Sequence, residues 1–201
     1  MSSIIPPQLP KLPAEVVNRI LAANHVVHAV ALLSVRAYRR DTMGKPGVND
    51  AGIYDDAIFL RFPGGMLPFN ANTDPSRFGW NADLGKPFAQ LKCGTWPFIR
   101  GLHKGQYMAL RQPYEEQADE LDLPDHGHFT VIRDDGRGHR YEDNGYHAIN
   151  LHRGGANGTS SWGCQTIPPD DYPRFIAAVT REMKAVGQKW IPNCLIDGPV
   201  I

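Results

Sequence analysis

Between Pro13 and about Ala23 the apolar residues Val16, Val17, Ile20 and Leu21 recur at helical spacing, and proline suits a first helical position, so this segment predicts a helix. The period then changes. Leu33, Val35 and Ala37 alternate with Ser34, Arg36 and Tyr38, a strand pattern, and the loop KPGVNDAG (45–52) leads into a second strand, DAIFLRF (56–62). FTVIRDDGRGHRY (129–141) reads as a hairpin turning at Asp135 and Gly136, and HAINLH (147–152) and CQTI (164–167) read as short strands on either side of a polar loop. A last helix begins after Pro168 and Pro169 with Asp170 or Asp171 as cap. Its stripe of Tyr172, Phe175, Ile176, Val179, Met183 and Val186 ends at Gly187 and must pack on a sheet. Gly64 to Gln112 has weak periodicity, and EEQADELDLPD (115–125) predicts an exposed acidic loop or short helix.

The expected fold class is therefore mixed and β-rich (α+β), with an N-terminal and a C-terminal helix packed on a sheet core. The 201 residues form one domain, 1–201, whose first twelve residues are a Pro-rich N-terminal arm. Twenty glycines and seventeen prolines, spread throughout, suit short strands and long loops.

Charge narrows the partners. Twenty-one Lys and Arg balance twenty-one Asp and Glu, so no net field draws the chain to nucleic acid. The most apolar run, VVHAVALLSV (26–35), is about half the ~20 residues of a spanning helix, so no membrane insertion is expected. MSSIIPPQLPKLP lacks the charged and apolar regions of a secretory signal. The expectation is synthesis in the cytoplasm, with action in the cell wall or periplasm needing another export route. Composition is silent on oligomeric state.

Candidate chemistry concentrates in INLHRGGANGTSSWGCQTIP (149–168). Alternation sends Asn150 and His152 to one face of their strand and Ile149 and Leu151 to the other. Along CQTI, Cys164 and Thr166 share a face opposite Gln165 and Ile167. Pairing the two segments as a hairpin, with Ile149, Leu151 and Ile167 inward, brings His152, Asn150, Cys164 and Thr166 to a common face. An imidazole there takes the thiol proton of a cysteine nucleophile, and the N–H groups of Trp162, Gly163 and Cys164 converge on an oxyanion. An isolated cysteine is more often a small buried hydrophobe. The Gly- and Ser-rich loop between the two residues is what favours chemistry.

The order His152, Gly154, then Ser161, Gly163 and Cys164 resembles the catalytic signature of the L,D-transpeptidase catalytic domain, a β-rich fold whose cysteine attacks peptidoglycan stem peptides. INLHRG followed by TSSWGCQTI is also similar to a divergent phage and proteobacterial branch of that group, and looser similarity extends through NDAGIYDDAIF (49–59) and NANTDPS (70–76). The resemblance implies that Cys164 is the nucleophile, His152 the base, and Gly163 with the Cys164 N–H the oxyanion hole. Ser161 then supports the loop or the substrate, and Arg153, Trp162, Thr166, Asn150 and Tyr107 contact substrate. No cofactor is implied. Trp162 stands where the family usually has His, Thr166 where it usually has Arg, and the gap from His to Cys is shorter than usual. Arg153 or Arg133 is left to meet a substrate carboxylate, and hydrolysis is favoured over transfer, as in a phage lysis enzyme (endolysin) or an antibacterial effector.

Two other readings stand beside this one. His126, His128, His139, His147 and His152 lie close in sequence and suit a zinc peptidase or amidase, although no HExxH or paired-Cys spacing accompanies them. A non-enzymatic phage or wall-binding protein would use the loop as a turn. Adjacent Asp55 and Asp56 read as a solvated strand start, and Trp80, Trp96, Trp162 and Tyr107 as groove or core.

Overall fold

The helix expected after the Pro-rich arm is α1, Ala14–Ala23, entered directly from Pro13, with Val17 and Leu21 buried. The computed structural model describes residues 3–198, so the first two residues of the arm lie outside the description. Strands β1 (Ala31–Arg36), β2 (Asp56–Phe62) and β3 (Gly65–Ala71) follow, and the weakly patterned stretch after them also folds into strands. These are β4 (Trp80–Asn81), β5 (Lys86–Pro87), β6 (Ala89–Leu91), β7 (Gly94–His103) and β8 (Tyr107–Arg111). The acidic run forms the short helix α2, Glu115–Glu120. The expected hairpin is β9 (Phe129–Asp134) with β10 (Arg140–Gly145), closed where the Asp135 N–H donates to the His139 carbonyl. Next come β11 (Asn150–Arg153), β12 (Gln165–Ile167), the helix α3 (Tyr172–Ala185) and a last strand, β13 (Trp190–Asp197).

Eight strands form one sheet in the order β12-β11-β8-β7-β13-β1-β2-β3. Its two outer strands nearly meet. Asn72, just past β3, exchanges both backbone hydrogen bonds with Thr166 of β12, at 2.8 and 2.7 Å, so the sheet curls into a near-barrel and hides most of its edges. Phe175, Val179 and Met183 of α3 join Leu32, Ile58, Phe69, Phe98, Leu110 and Leu151 in the main core, to which the smaller sheet β10-β9-β6 adds Leu91, Phe129 and Val131. On the other face, Val17 and Leu21 of α1 pack with Leu33, Val35, Phe59 and Cys194. The chain is a β-rich α+β protein built on a large near-barrel sheet with a few helices. Among its described residues no helix is long and apolar enough to cross a membrane.

Apolar layers on both faces explain why β1 is buried at all six positions. Its polar residues are satisfied within the protein. Ser34 donates to the Asn193 side chain at 2.7 Å, and Asn193 donates to Gln165 at 2.8 Å, which links β1, β13 and β12 through the interior. Arg36 forms a 2.9 Å ion pair with Asp74 and donates to the Leu91 carbonyl at 2.8 Å.

The expectation that Asp55 and Asp56 are solvated is overturned: both are fully buried. The Asp56 carboxylate accepts the backbone N–H groups of Ala37 and Thr73, and Asp55 accepts that of Asp50 at 3.1 Å, so backbone donors replace the water a strand start would have supplied. Burial pushes Asp55 up to about 7, the Asp74 charge adding to the shift. Asp56 is raised well above its usual range, by burial first and then by Asp74 and Asp55.

Candidate active site

The segments carrying His152 and Cys164 do not form a hairpin: β11 and β12 run parallel, with Leu151 beside Gln165, His152 beside Thr166 and Arg153 beside Ile167. Parallel neighbours need a long crossover, which is what residues 154–164 supply, whereas a hairpin typically closes with two to five residues. The expected faces survive, because alternation along a strand does not depend on its partner's direction. Ile149, Leu151 and Ile167 join the core, and Asn150, His152 and Cys164 line a cavity of about 640 Å³. That volume suits a peptide-sized ligand.

Cys164 stands one residue before β12 and next to Asn150, whose backbone N–H is 3.4 Å and side-chain amide 3.9 Å from the Cys164 sulfur, while the thiol donates to the Ala148 carbonyl at 3.8 Å. His152 is therefore the diagonal neighbour of Cys164. Such pairs have Cα atoms roughly 7–8 Å apart, within reach of an imidazole. The Nδ1 of His152 lies 2.8 Å from the Arg153 carbonyl, which only accepts, so Nδ1 carries the proton and Nε2 keeps a free lone pair. A backbone carbonyl thus sets the tautomer. His103, at the end of β7, stacks on His152 with ring centroids 4.2 Å and planes 17° apart, and the Tyr107 hydroxyl lies 3.5 Å from His152 Nδ1.

Burial, and then the nearby His103, push His152 down to about 4. Burial also raises the Cys164 thiol above its ordinary value, although the Asn150 donors oppose this. The resting pair is a neutral imidazole and a neutral thiol, and the proton moves only as sulfur bonds to carbon. Alkylation of Cys164 by iodoacetamide, followed by peptide mass mapping, is therefore expected to speed up about tenfold per pH unit from 7 to 9. A plateau reached below pH 7 would show a preformed thiolate and contradict this account.

The loop is held by segments that the sequence reading linked to it only loosely. Tyr54 donates its hydroxyl to the Gly155 carbonyl at 2.8 Å, and the Ser161 N–H donates to Ser76 Oγ at 2.7 Å. Ser76 Oγ is also 2.7 Å from Thr159 Oγ1. Ser161 is buried; it donates to the Cys164 carbonyl at 2.6 Å and accepts the Gly163 N–H at 3.0 Å. The Gly163 N–H is thereby occupied, and among the described residues the N–H groups of Trp162 and Cys164 meet no acceptor. Gly163 matters for its shape instead: its φ is +151°, and a Cβ there would lie 2.7 Å from the Ala89 carbonyl oxygen.

Of the other nominated residues, exposed Trp162 stands on the cavity lining. Thr166 is fully buried, away from that lining and against the Gly154 backbone. Arg153 and Tyr107 stack on each other, the guanidinium 5.0 Å from the ring centre, and neither lines the cavity. Arg133 does line it, but is tied to Asp143 at 2.6 Å and to the Pro87 carbonyl. His126 and His128 pair with Asp119 and Glu115, at 2.7 and 2.8 Å. No three His, Cys, Asp or Glu side chains among the described residues are placed to hold a metal ion. Trp96 packs against Phe129 beside the core, and the three cysteines are free thiols.

The cavity also contains residues that periodicity did not single out, among them His103, Lys104, Arg111 and Tyr146. They come from strand ends and turns distant in sequence, where no local pattern signals a shared site. Fold and site together define a β-rich α+β protein with a cysteine–histidine cleft at one border of a near-barrel sheet. Compared with protein-family models, curated proteins and solved structures, the chain matches none.

Proposed function

We propose that the protein is a cysteine-dependent acyl-transfer enzyme of the L,D-transpeptidase type, acting on peptidoglycan stem peptides, with hydrolysis favoured over transfer. The observation that carries this reading is the placement of Cys164 and His152 as diagonal neighbours on one cavity wall, with the histidine tautomer set by the Arg153 carbonyl. The proton of the Cys164 thiol passes to His152 Nε2 as sulfur adds to the peptide carbonyl carbon. Collapse of the adduct breaks the C–N bond, the departing amine takes that proton, and a thioester remains. Water, or the amine of a second peptide, then attacks the thioester and releases the thiol. The N–H groups of Cys164 and Trp162 are the remaining loop donors for the oxyanion, in place of Gly163. Asn150 donors steady the developing charge on sulfur.

The test is mass spectrometry of peptidoglycan fragments incubated with the wild type and with Cys164→Ala. Shortened stems with the wild type alone are expected; exchanged terminal residues or new dimers would assign a transferase. Unchanged cleavage by the alanine variant, or unaltered fragments with both proteins, would sink the proposal.

A further inference from the structure

The row of residues that begins at Cys164 continues across the sheet. Cys164 lies beside Asn150, and Asn150 is the register partner of Arg111 on β8. Side chains at register partners share a face, and strands are spaced about 4.8 Å apart, so Arg111 starts two strands, or about 10 Å, from the thiol. The side chain turns toward β7, away from β11, so the guanidinium and the thiol stand apart on one cavity lining, a separation that a peptide spans.

The surroundings of Arg111 keep its charge available. Arg111 pairs with Ile99 on β7, and its side chain lies across Gly101, where a Cβ would overlap Nε and Cδ of the arginine. The guanidinium is 4.7 Å from the centre of the Tyr114 ring and donates to the Gln117 side chain at 3.0 Å. Both partners are neutral. Arg111 makes no ion pair with any described residue, so it is held in place without being neutralised.

Charge along the cavity is one-sided. Its lining contains Lys86, Lys104, Arg111 and Arg133 and no Asp or Glu. Asp143 lies 2.6 Å from Arg133 and 4.0 Å from Lys86, so Lys104 and Arg111 are left as the cations without a counter-charge. In a chain of zero formal net charge, this imbalance is local to the cavity. A planar fork with one neutral hydrogen bond and a tyrosine face beneath it matches a carboxylate, which accepts two parallel N–H bonds.

We infer that Arg111, bedded on Gly101 and assisted by Lys104, is a carboxylate-binding subsite, and that the substrate is an acidic peptide whose free carboxylate docks there while Cys164 meets its carbonyl. The inference rests on the proposed role of Cys164, but its test does not require turnover. In that test the Cys164 sulfur displaces iodide from iodoacetate, which is anionic, or from iodoacetamide, which is neutral and nearly the same size.

The rate ratio of iodoacetate to iodoacetamide at Cys164, followed by peptide mass mapping, should exceed that of free glutathione by about tenfold in the wild type. It should fall part of the way to the glutathione value in Arg111→Gln, where Lys104 remains, and the rest of the way when Lys104→Gln is added; Arg111→Lys, which keeps charge but loses the fork, should lie between wild type and Arg111→Gln. An equal ratio in wild type and Arg111→Gln overturns the subsite and leaves the nucleophile untouched. Conversely, Cys164→Ala retaining wall cleavage overturns the nucleophile whatever the ratio. With acidic peptides, the preference in kcat/KM for a free over an amidated carboxylate should collapse in Arg111→Gln. A preserved preference also counts against the subsite.

Discussion

Exchanging His152 for glutamine is expected to slow cleavage of peptidoglycan fragments by about 10²- to 10⁴-fold, the usual contribution of a positioned general base. Glutamine fills a similar volume and can still donate to the Arg153 carbonyl, so the change removes the Nε2 lone pair and little else. The pH profile offers a sharper check. A base must be neutral to accept a proton, so activity is lost as pH falls through the histidine's own pKa. Burial and His103 hold His152 at about 4, well below the 6.5 of a free imidazole. The acid limb of kcat/KM in the wild type should therefore lie near pH 4. His103→Ala, which removes the second imidazole and admits water, should move that limb upward. A wild-type limb at 6.5, or full activity in His152→Gln, would remove His152 from the role of base.

The second large effect is on stability. Arg36→Met is expected to cost about 3–5 kcal/mol, the usual penalty for removing one partner of a buried ion pair, and to lower Tm by roughly 10 °C. Arg36 is the buried cation against Asp74, with Asp55 and Asp56 close by, and methionine leaves those carboxylates without it. The sign with pH follows from the raised Asp55 and Asp56. Groups raised in the folded state contribute stability below their ordinary pKa near 4 and lose it as pH rises through the folded value, about 7 for Asp55. The deficit of Arg36→Met should therefore be larger at pH 8 than at pH 5. Thermal melts at the two pH values measure it, and a deficit independent of pH would separate Arg36 from the carboxylates. The same cluster supports the loop, because Asp74 accepts from Gln90 and Asn49 and stands two residues before Ser76, which anchors Ser161.

Local patterns revealed some of this arrangement and concealed the rest. The stripe of α3 is plain in the sequence because it presents one periodic face, and β2 because it is a short apolar run, buried on both faces, that follows a Gly- and Pro-containing loop. The central strand β13 escaped the sequence reading: WIPNCLID is buried on both faces and interrupted by Pro192 and Asn193, so it shows no alternation. Asp56 looked solvated because the donors and the cation that meet it come from elsewhere in the chain, Ala37, Thr73 and Arg36, and Asp55 because alternation says nothing of the Asp50 N–H that turns back onto it. Gly163 looked like an oxyanion donor because alternation does not register the local turn in which Ser161 Oγ, two residues earlier, takes its N–H.

For the candidate site, the division follows the range of the forces involved. Alternation is a property of a single strand, and from it the sequence alone determined that Asn150 and His152 share a face, that Cys164 stands opposite Ile167 on its own strand, and that a glycine-rich loop joins the two. Direction and register depend on pairing between strands, and these only the tertiary structure decided. It set β11 and β12 parallel, placed Asn150 against the sulfur, stacked His103 on His152 and continued the row to Arg111. Hydrogen bonds and burial between distant segments carry no local period, so the chemistry of the cleft emerges only when the near-barrel closes.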